Sequence, residues 1–281
     1  MTAAGTTATS RRSTGEVHSL PADEHPPTRL ELVLGADRTP LVVLLILVPL
    51  VCWSWIVVMA RDMYGPMTGA SAWMMTLQWD ARHVLLLWAM WAVMMAGMML
   101  PSAAPMLLLY GVAARRRGPG SSAAQEIYAL AAGYVAVWAL FSVLATGAQR
   151  VLSMLLMVSP MMTLTSPIAG AALLLVAGIY QLTPLKRVCL QNCQSPLSFL
   201  INRWRAGVDG AFRMGVNHGA YCLGCCWALM LLLFVGGVMN LAVIAALTVF
   251  VAFEKFGALG PQGARVSGGL LIAAAVWMLV R

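Results

Sequence analysis

Apolar runs longer than the roughly 18 residues that a spanning helix needs recur through most of this 281-residue chain. A backbone in lipid must satisfy its own hydrogen bonds, so runs of this kind commit the chain to helices packed on one another. Composition agrees: 60% of the residues are apolar and 10% charged, against roughly 45–50% and about 25% in a soluble globular chain. There is too little polar surface for a water-facing exterior. A disordered protein, a small disulfide scaffold and a peripheral amphipathic binder are excluded, and an all-α, polytopic transmembrane helical bundle in a lipid bilayer is expected.

Residues 1–39 are rich in Thr, Ser, Pro and charge and hold five of the ten acidic residues, so they read as a disordered tail. Arg11 and Arg12 lie too far before the apolar run at Leu41 to act as a twin-arginine export signal. Residues 40–281 read as the membrane domain. A first span covers Leu41 to Ala60, and Trp73, Met74, Met75 and Trp79 suggest an interfacial helix in the following loop. The second span, Val84 to about Val112, should kink at Pro101 and Pro105. A third covers Ile127 to Ala148, and a short fourth Ile168 to Leu182, with an earlier start near Met161 as the alternative.

The segment 183–215 is polar, and Thr183-Pro184 and Ser195-Pro196 each read as an N-cap with proline at the first helical position. Two short interface helices are expected there. Val216 to Val235, a tight turn at Gly236-Gly237, Val238 to Phe253 and Gly268 to Val280 complete about seven spans, with six to eight as the range. No internal repeat marks a two-fold transporter fold.

Charge placement orients this layout. With the N-terminus in the cytoplasm, 14 Lys and Arg fall on inner segments and 4 on outer ones, a positive-inside pattern that places the tail and the 183–215 segment inside. The net charge of +8 then belongs to loops beside the membrane, with no nucleic-acid partner implied. Glu126, Arg150, Glu254 and Lys255 stand at the edges of spans and no charge lies near a centre, which argues against proton-coupled pumping and hard-cation transport. No phosphate-binding loop, Ser-His-Asp set or H-E-x-x-H occurs, so an enzyme is not the expected reading.

The remaining chemistry is sulfur. Five of six cysteines fall between positions 189 and 226, as Cys189 and Cys193 in TPLKRVCLQNC and as Cys222, Cys225 and Cys226 in HGAYCLGCCWALM. On a helix His218, Cys222, Cys225 and Cys226 lie within an arc of roughly 100°, and Cys189 and Cys193, at i and i+4, share another face. Both groups should meet at the inner boundary. Cytoplasmic thiols stay reduced, so a structural disulfide explains them poorly, whereas thiolate with thioether selects Cu(I), with Zn(II) as the second candidate. The second span adds a thioether face through Met94, Met95, Met98 and Met99, next to Met90. A methionine stripe alone is ordinary adaptable packing, as is a lone thiol such as Cys52; its coincidence with five thiols suggests transient ligands. Tyr180, Gln181 and Asn217 are candidates to orient the ligands.

At WAVMMAGMMLPSAAPM, YQLTPLKRVCLQNCQSP, RMGVNHGAYCLGCCWALM and GGVMNLAVIAALTVFVAFEK the chain resembles a bacterial family of integral membrane proteins described as metal-binding and labelled copper chaperones. The resemblance covers most of residues 85–255. Gln194 departs from the basic residue that the family favours after the second cysteine, which leaves the thiols intact. The resemblance implies a multi-span fold in the inner (cytoplasmic) membrane and copper handling or delivery, with a copper donor or acceptor protein as partner.

The expected metal ligands are therefore Cys189, Cys193, Cys222, Cys225 and Cys226, with His218 as a further ligand and Met94, Met95, Met98 and Met99 as transient ones. Two other readings stay open. Cys222 and Cys225 form a C-x-x-C, which suits a membrane thiol-disulfide oxidoreductase. The chain could also be a structural or assembly partner of a membrane complex.

Overall fold

The computed structural model describes residues 39–65, 80–117, 121–155, 159, 162–257 and 260–280, all within one compact unit, Asp37–Arg281. The N-terminal tail and the interfacial helix around Trp73 to Trp79 lie outside the described residues. Helices dominate and, among the described residues, no strand forms.

The first helix, α1, runs Thr39–Met63 and contains a π-helical turn at Val43–Leu47, where Val48 donates to the Val43 carbonyl. The wide turn sits just ahead of Pro49, which has no N–H to offer. Helix α2, Ala81–Met99, starts at Asp80, whose side chain accepts from the His83 amide at 2.7 Å. A 3₁₀ turn at Pro101–Ala103 separates it from α3, Ala104–Arg117, which is the break that the two prolines call for. Helix α4, Ser121–Met154, is continuous over 34 residues.

Helix α5, Pro167–Leu182, is capped by Ser166 and bends by 66° into α6, Pro184–Gln194. Thr183 serves both helices: its amide closes α5 on the Tyr180 carbonyl, and its hydroxyl caps α6 by accepting from Lys186. Helix α7, Pro196–Arg203, begins at the second Ser-Pro pair, although Ser195 makes no side-chain cap. Then come α8, Gly207–Met230; α9, Leu232–Gly236; α10, Leu241–Lys255; and α11, Gly260–Val280. Between α9 and α10 Gly237 takes φ of +93°, open to glycine at little cost, and Asn240 caps α10 by accepting from Ala242 and Val243.

Among the described residues, five helical stretches are long and apolar enough to cross a membrane: Thr39–Met63, Ala81–Arg116, Ala123–Met154, Gly207–Gly236 and Gln262–Val280. The bent α5–α6 pair raises the number to at most six. The expected count of about seven is not confirmed at two places. The sixth expected span, Val238 to Phe253, is the 15-residue α10, at about 1.5 Å per residue too short for a hydrocarbon core of about 30 Å. The fourth, which begins at Pro167 and not near Met161, qualifies only together with α6.

The core of the bundle is the packing of α8 on α4, the most extensive of its helix contacts, flanked by α2 on α4 and by α6 on α8. Glycine makes the first possible. A Cβ at Gly215 would lie 1.9 Å from the Leu130 carbonyl oxygen, and one at Gly133 would lie 2.2 Å from the Phe212 carbonyl oxygen. Here the two backbones touch directly, a close approach that small residues permit between packed helices. Tryptophan secures the other face: Trp91 on α2 donates to Gln149 Oε1 on α4 at 2.8 Å, and Trp88 to the Ala139 carbonyl at 3.1 Å.

Gly215→Ala is expected to force α8 and α4 apart and to lower the thermal midpoint of the detergent-solubilised protein, at an overpacking cost of about 1–3 kcal/mol or more. Gly147→Ala, also on α4 but with nothing within 4 Å of its Cβ position, should leave the midpoint unchanged or raise it slightly, since alanine is the better helix former. Thermal unfolding of the two variants side by side tests the assignment.

Candidate metal centre

The proline break in α2 positions the site. In an unbroken helix the Ala103 amide would serve the Met99 carbonyl; here it bonds to Leu100 instead, at 3.0 Å. The freed Met99 carbonyl is satisfied by two side chains, Ser102 Oγ at 2.7 Å and the Tyr134 hydroxyl from α4 at 2.9 Å. Met99 is thereby fixed at the helix end, fully buried, with its thioether turned to the cysteines of α8.

Those cysteines occupy the buried face that helical spacing predicts. Cys222, Cys225 and Cys226 are all nearly inaccessible, and the thiols of Cys225 and Cys226 donate to the Cys222 carbonyl at 3.1 and 2.9 Å. Cys226 Sγ lies 4.0 Å from Met99 Sδ, and Cys222 Sγ lies 2.9 Å from the Tyr134 hydroxyl.

Helix α6 supplies the other two thiols. The Cys193 thiol is buried beside that of Cys225. Cys189, one turn earlier, is half-buried and seated over Gly224, where a Cβ would come within 2.7 Å of its sulfur. All five cysteines are free thiols. They form a series running from the partly exposed Cys189 through Cys193 and Cys225 to Cys222, Cys226 and Met99. Among the described residues no three His, Cys, Asp or Glu side chains form a ready-made metal site. The sulfurs are neighbours held by hydrogen bonds, and they do not converge on one point.

The other expected ligands fall nearby. His218, one turn before Cys222, is buried between the rings of Tyr134 and Phe199, and its Nδ1 has no hydrogen-bond partner among the described residues. Met94, Met95 and Met98 are enclosed in the same core along α2, with Met95 one turn from Met99. Cys52 is a packing residue against Gly97. Of the residues expected to orient ligands, Tyr180 donates to the Gly224 carbonyl, while Gln181 donates to Glu254 at 3.2 Å and Ser267 at 3.0 Å. Asn217 is half-buried on α8.

Sequence reasoning missed the two charges of the site. Glu254 and Lys255 end α10, but that end is inside the bundle, with exposures of 4% and 5%. Lys255 Nζ donates to Ser102 Oγ at 2.7 Å and to Cys222 Sγ at 2.9 Å, and stands 3.7 Å from Met99 Sδ. Glu254 points the other way and forms a buried ion pair with Lys186 of α6 at 2.7 Å. Gln194 of α6 adds a hydrogen bond to the Glu254 carbonyl at 2.6 Å. The ion pair thus ties α6, with its two thiols, to α10, with its ammonium. The available signal was an unlike pair, Glu-Lys, closing an apolar stretch; a charge in such a setting marks function by default.

These elements define a helical-bundle protein with an enclosed thiol and thioether centre. The chain belongs to the PpoB2 family, described as a copper chaperone, whose sequence profile matches residues 88–278. That match takes in α2 from Trp88 and all of the sulfur centre. No curated protein and no solved structure matches the chain.

Removing one partner of the Lys186–Glu254 pair strands a buried charge, so Lys186→Met is expected to cost about 3–5 kcal/mol. The double variant Lys186→Met with Glu254→Gln should recover most of that loss. A double-mutant cycle on thermal unfolding in detergent would show it, and equal losses in single and double variants would contradict a buried pair.

Proposed function

We propose that the protein is an integral membrane Cu(I)-handling protein that accepts the ion at Cys189, passes it inward to Cys193 and Cys225, and holds it among Cys222, Cys226 and Met99. The observation that carries this reading is the graded series of free thiols, from half-buried to fully enclosed, ending on a thioether within an apolar bundle. Thiolates and thioethers are soft donors and favour Cu(I) over hard cations. Zn(II) ordinarily asks for four ligands in a tetrahedron, and a sparse sulfur set at the end of a broken helix suits an ion of lower demand. The family's description as a copper chaperone supports the same reading.

Cargo binding would draw the sulfurs together. Cys225 would give up its hydrogen bond to the Cys222 carbonyl as it passes the ion on, and Cys226 would exchange its own for a metal bond at the inner position, while Ser102 and Tyr134 hold Met99 in place. His218 is close enough in sequence register to join through its unpartnered Nδ1. Met94, Met95 and Met98 would offer weaker thioether stations beyond Met99, which suits an ion that must leave again. The charge distribution supports a cytoplasmic N-terminus in a bacterial inner membrane, with the α6–α7 segment and Cys189 on the side where a cytoplasmic copper donor or acceptor protein could reach. An oxidoreductase would need an accessible nucleophile at its C-x-x-C, and Cys222 and Cys225 are 1% and 2% exposed.

Protein purified without oxygen from copper-supplemented cells should carry Cu(I), and replacing all five cysteines by Ser should abolish it. Cys189→Ser alone should slow loading from a Cu(I) donor several-fold and leave the final stoichiometry intact. Unchanged copper content in the five-cysteine variant would overturn the proposal.

A further inference from the structure

The sulfur centre contains a group that a soft-metal site does not call for, the Lys255 ammonium. Its place is well defined: within hydrogen-bond reach of Cys222 Sγ, against Met99 Sδ, and anchored on Ser102 Oγ at 2.7 Å. The neighbouring carboxylate cannot neutralise it, because Glu254 is turned to Lys186 and held there at 2.7 Å, with Gln181 on its other oxygen. Tyr134, the remaining hydroxyl at Cys222, is a neutral group within hydrogen-bond reach of both the Met99 carbonyl and the Cys222 sulfur. Of the groups that touch the ammonium, the one suited to carry a balancing negative charge is the sulfur of Cys222. One fixed positive charge is therefore built into the ligand shell, and its Ser102 anchor lets it stay when a metal takes Cys222.

We propose that Lys255 is a specificity residue that sets the centre for soft monovalent ions and against soft divalent ones. The inference rests on the metal-binding reading above. The inner ligands are two thiols, Cys222 and Cys226, and one thioether, Met99. As thiolates they bring two negative charges; with one ammonium and one monovalent ion the enclosed centre is neutral. A divalent ion in the same place leaves a net positive charge where no water can solvate it, an arrangement that apolar surroundings strongly disfavour. Without the ammonium the preference inverts: two thiolates neutralise a divalent ion and leave a monovalent complex negative. Softness selects for sulfur-loving ions, and Lys255 selects among them by charge. It acts on the ion through its ligands, as a positioning residue with a fixed charge.

Ag(I) and Cd(II) separate these two effects, since they are isoelectronic and both thiophilic but differ by one charge. Each is titrated alone into the anaerobic, detergent-solubilised full chain, in competition with a chromophoric chelator. Wild type should hold Ag(I) tightly and Cd(II) weakly. Lys255→Gln should shift the ratio of the two dissociation constants toward Cd(II) by at least about ten-fold, the scale of one uncompensated charge, and Lys255→Arg, which keeps the charge, should stay near wild type. A ratio unchanged in Lys255→Gln would overturn the proposal, because a merely structural lysine would weaken both ions alike. Should Lys255→Gln fail to fold, wild type decides: Cd(II) held as tightly as Ag(I), and released by Cys222→Ser, would equally overturn it. If wild type holds Ag(I) and Cu(I) while the ratio does not move, the copper reading stands and the role of Lys255 falls; if wild type holds neither, the copper reading falls with it.

Discussion

Two consecutive charged residues, Glu254 and Lys255, end a fifteen-residue helix inside an apolar bundle, and a buried charge is tolerated only where its surroundings answer it. Much of the architecture around the site can be understood as that answer. Helix α6 folds back at Thr183-Pro184 and brings Lys186 to the carboxylate. The proline break in α2 brings Ser102 and Met99 to the ammonium, and α8 brings Cys222. Because adjacent residues on a helix point about 100° apart, one charge faces the clamp and the other faces the sulfurs. The position of α6 and the shape of the sulfur centre are therefore set by the same helix end.

Helical class, the proline-marked breaks and caps, and the sulfur inventory were legible in the sequence because each depends on local information. Pro101 and Pro105 announce a break wherever they stand, Thr183-Pro184 announces a cap, and the spacing of Cys222, Cys225 and Cys226 puts them on one face in any helix. The number of crossing helices was less legible. Hydropathy assigned a span to Val238–Phe253 because the stretch is apolar, but the helix there, α10, has 15 residues and closes on two buried charges, with Ile244 and Val251 as its buried apolar side chains.

The ammonium was illegible for a related reason. At the end of an apolar run a lysine usually marks the membrane surface, and nothing in the local sequence distinguishes a helix end in water from one inside a bundle. Only the third dimension places Ser102, more than a hundred positions away in the chain, within 2.7 Å of Lys255. The same applies to Tyr134, an unremarked residue of an ordinary apolar helix until its hydroxyl is found between the Met99 carbonyl and the Cys222 sulfur.

The glycine within CLGCC has a meaning that its own helix does not supply. Its missing side chain makes the notch in which the sulfur of Cys189 rests, and its carbonyl receives the Tyr180 hydroxyl from α5. A side chain at position 224 would push the outermost thiol away from the rest. The two cysteine motifs are thus halves of one interlocking shape, and a change in either half is constrained by the other. Exchanging one motif for a foreign cysteine cluster, even one of identical spacing, would preserve the sulfur atoms and lose their fit.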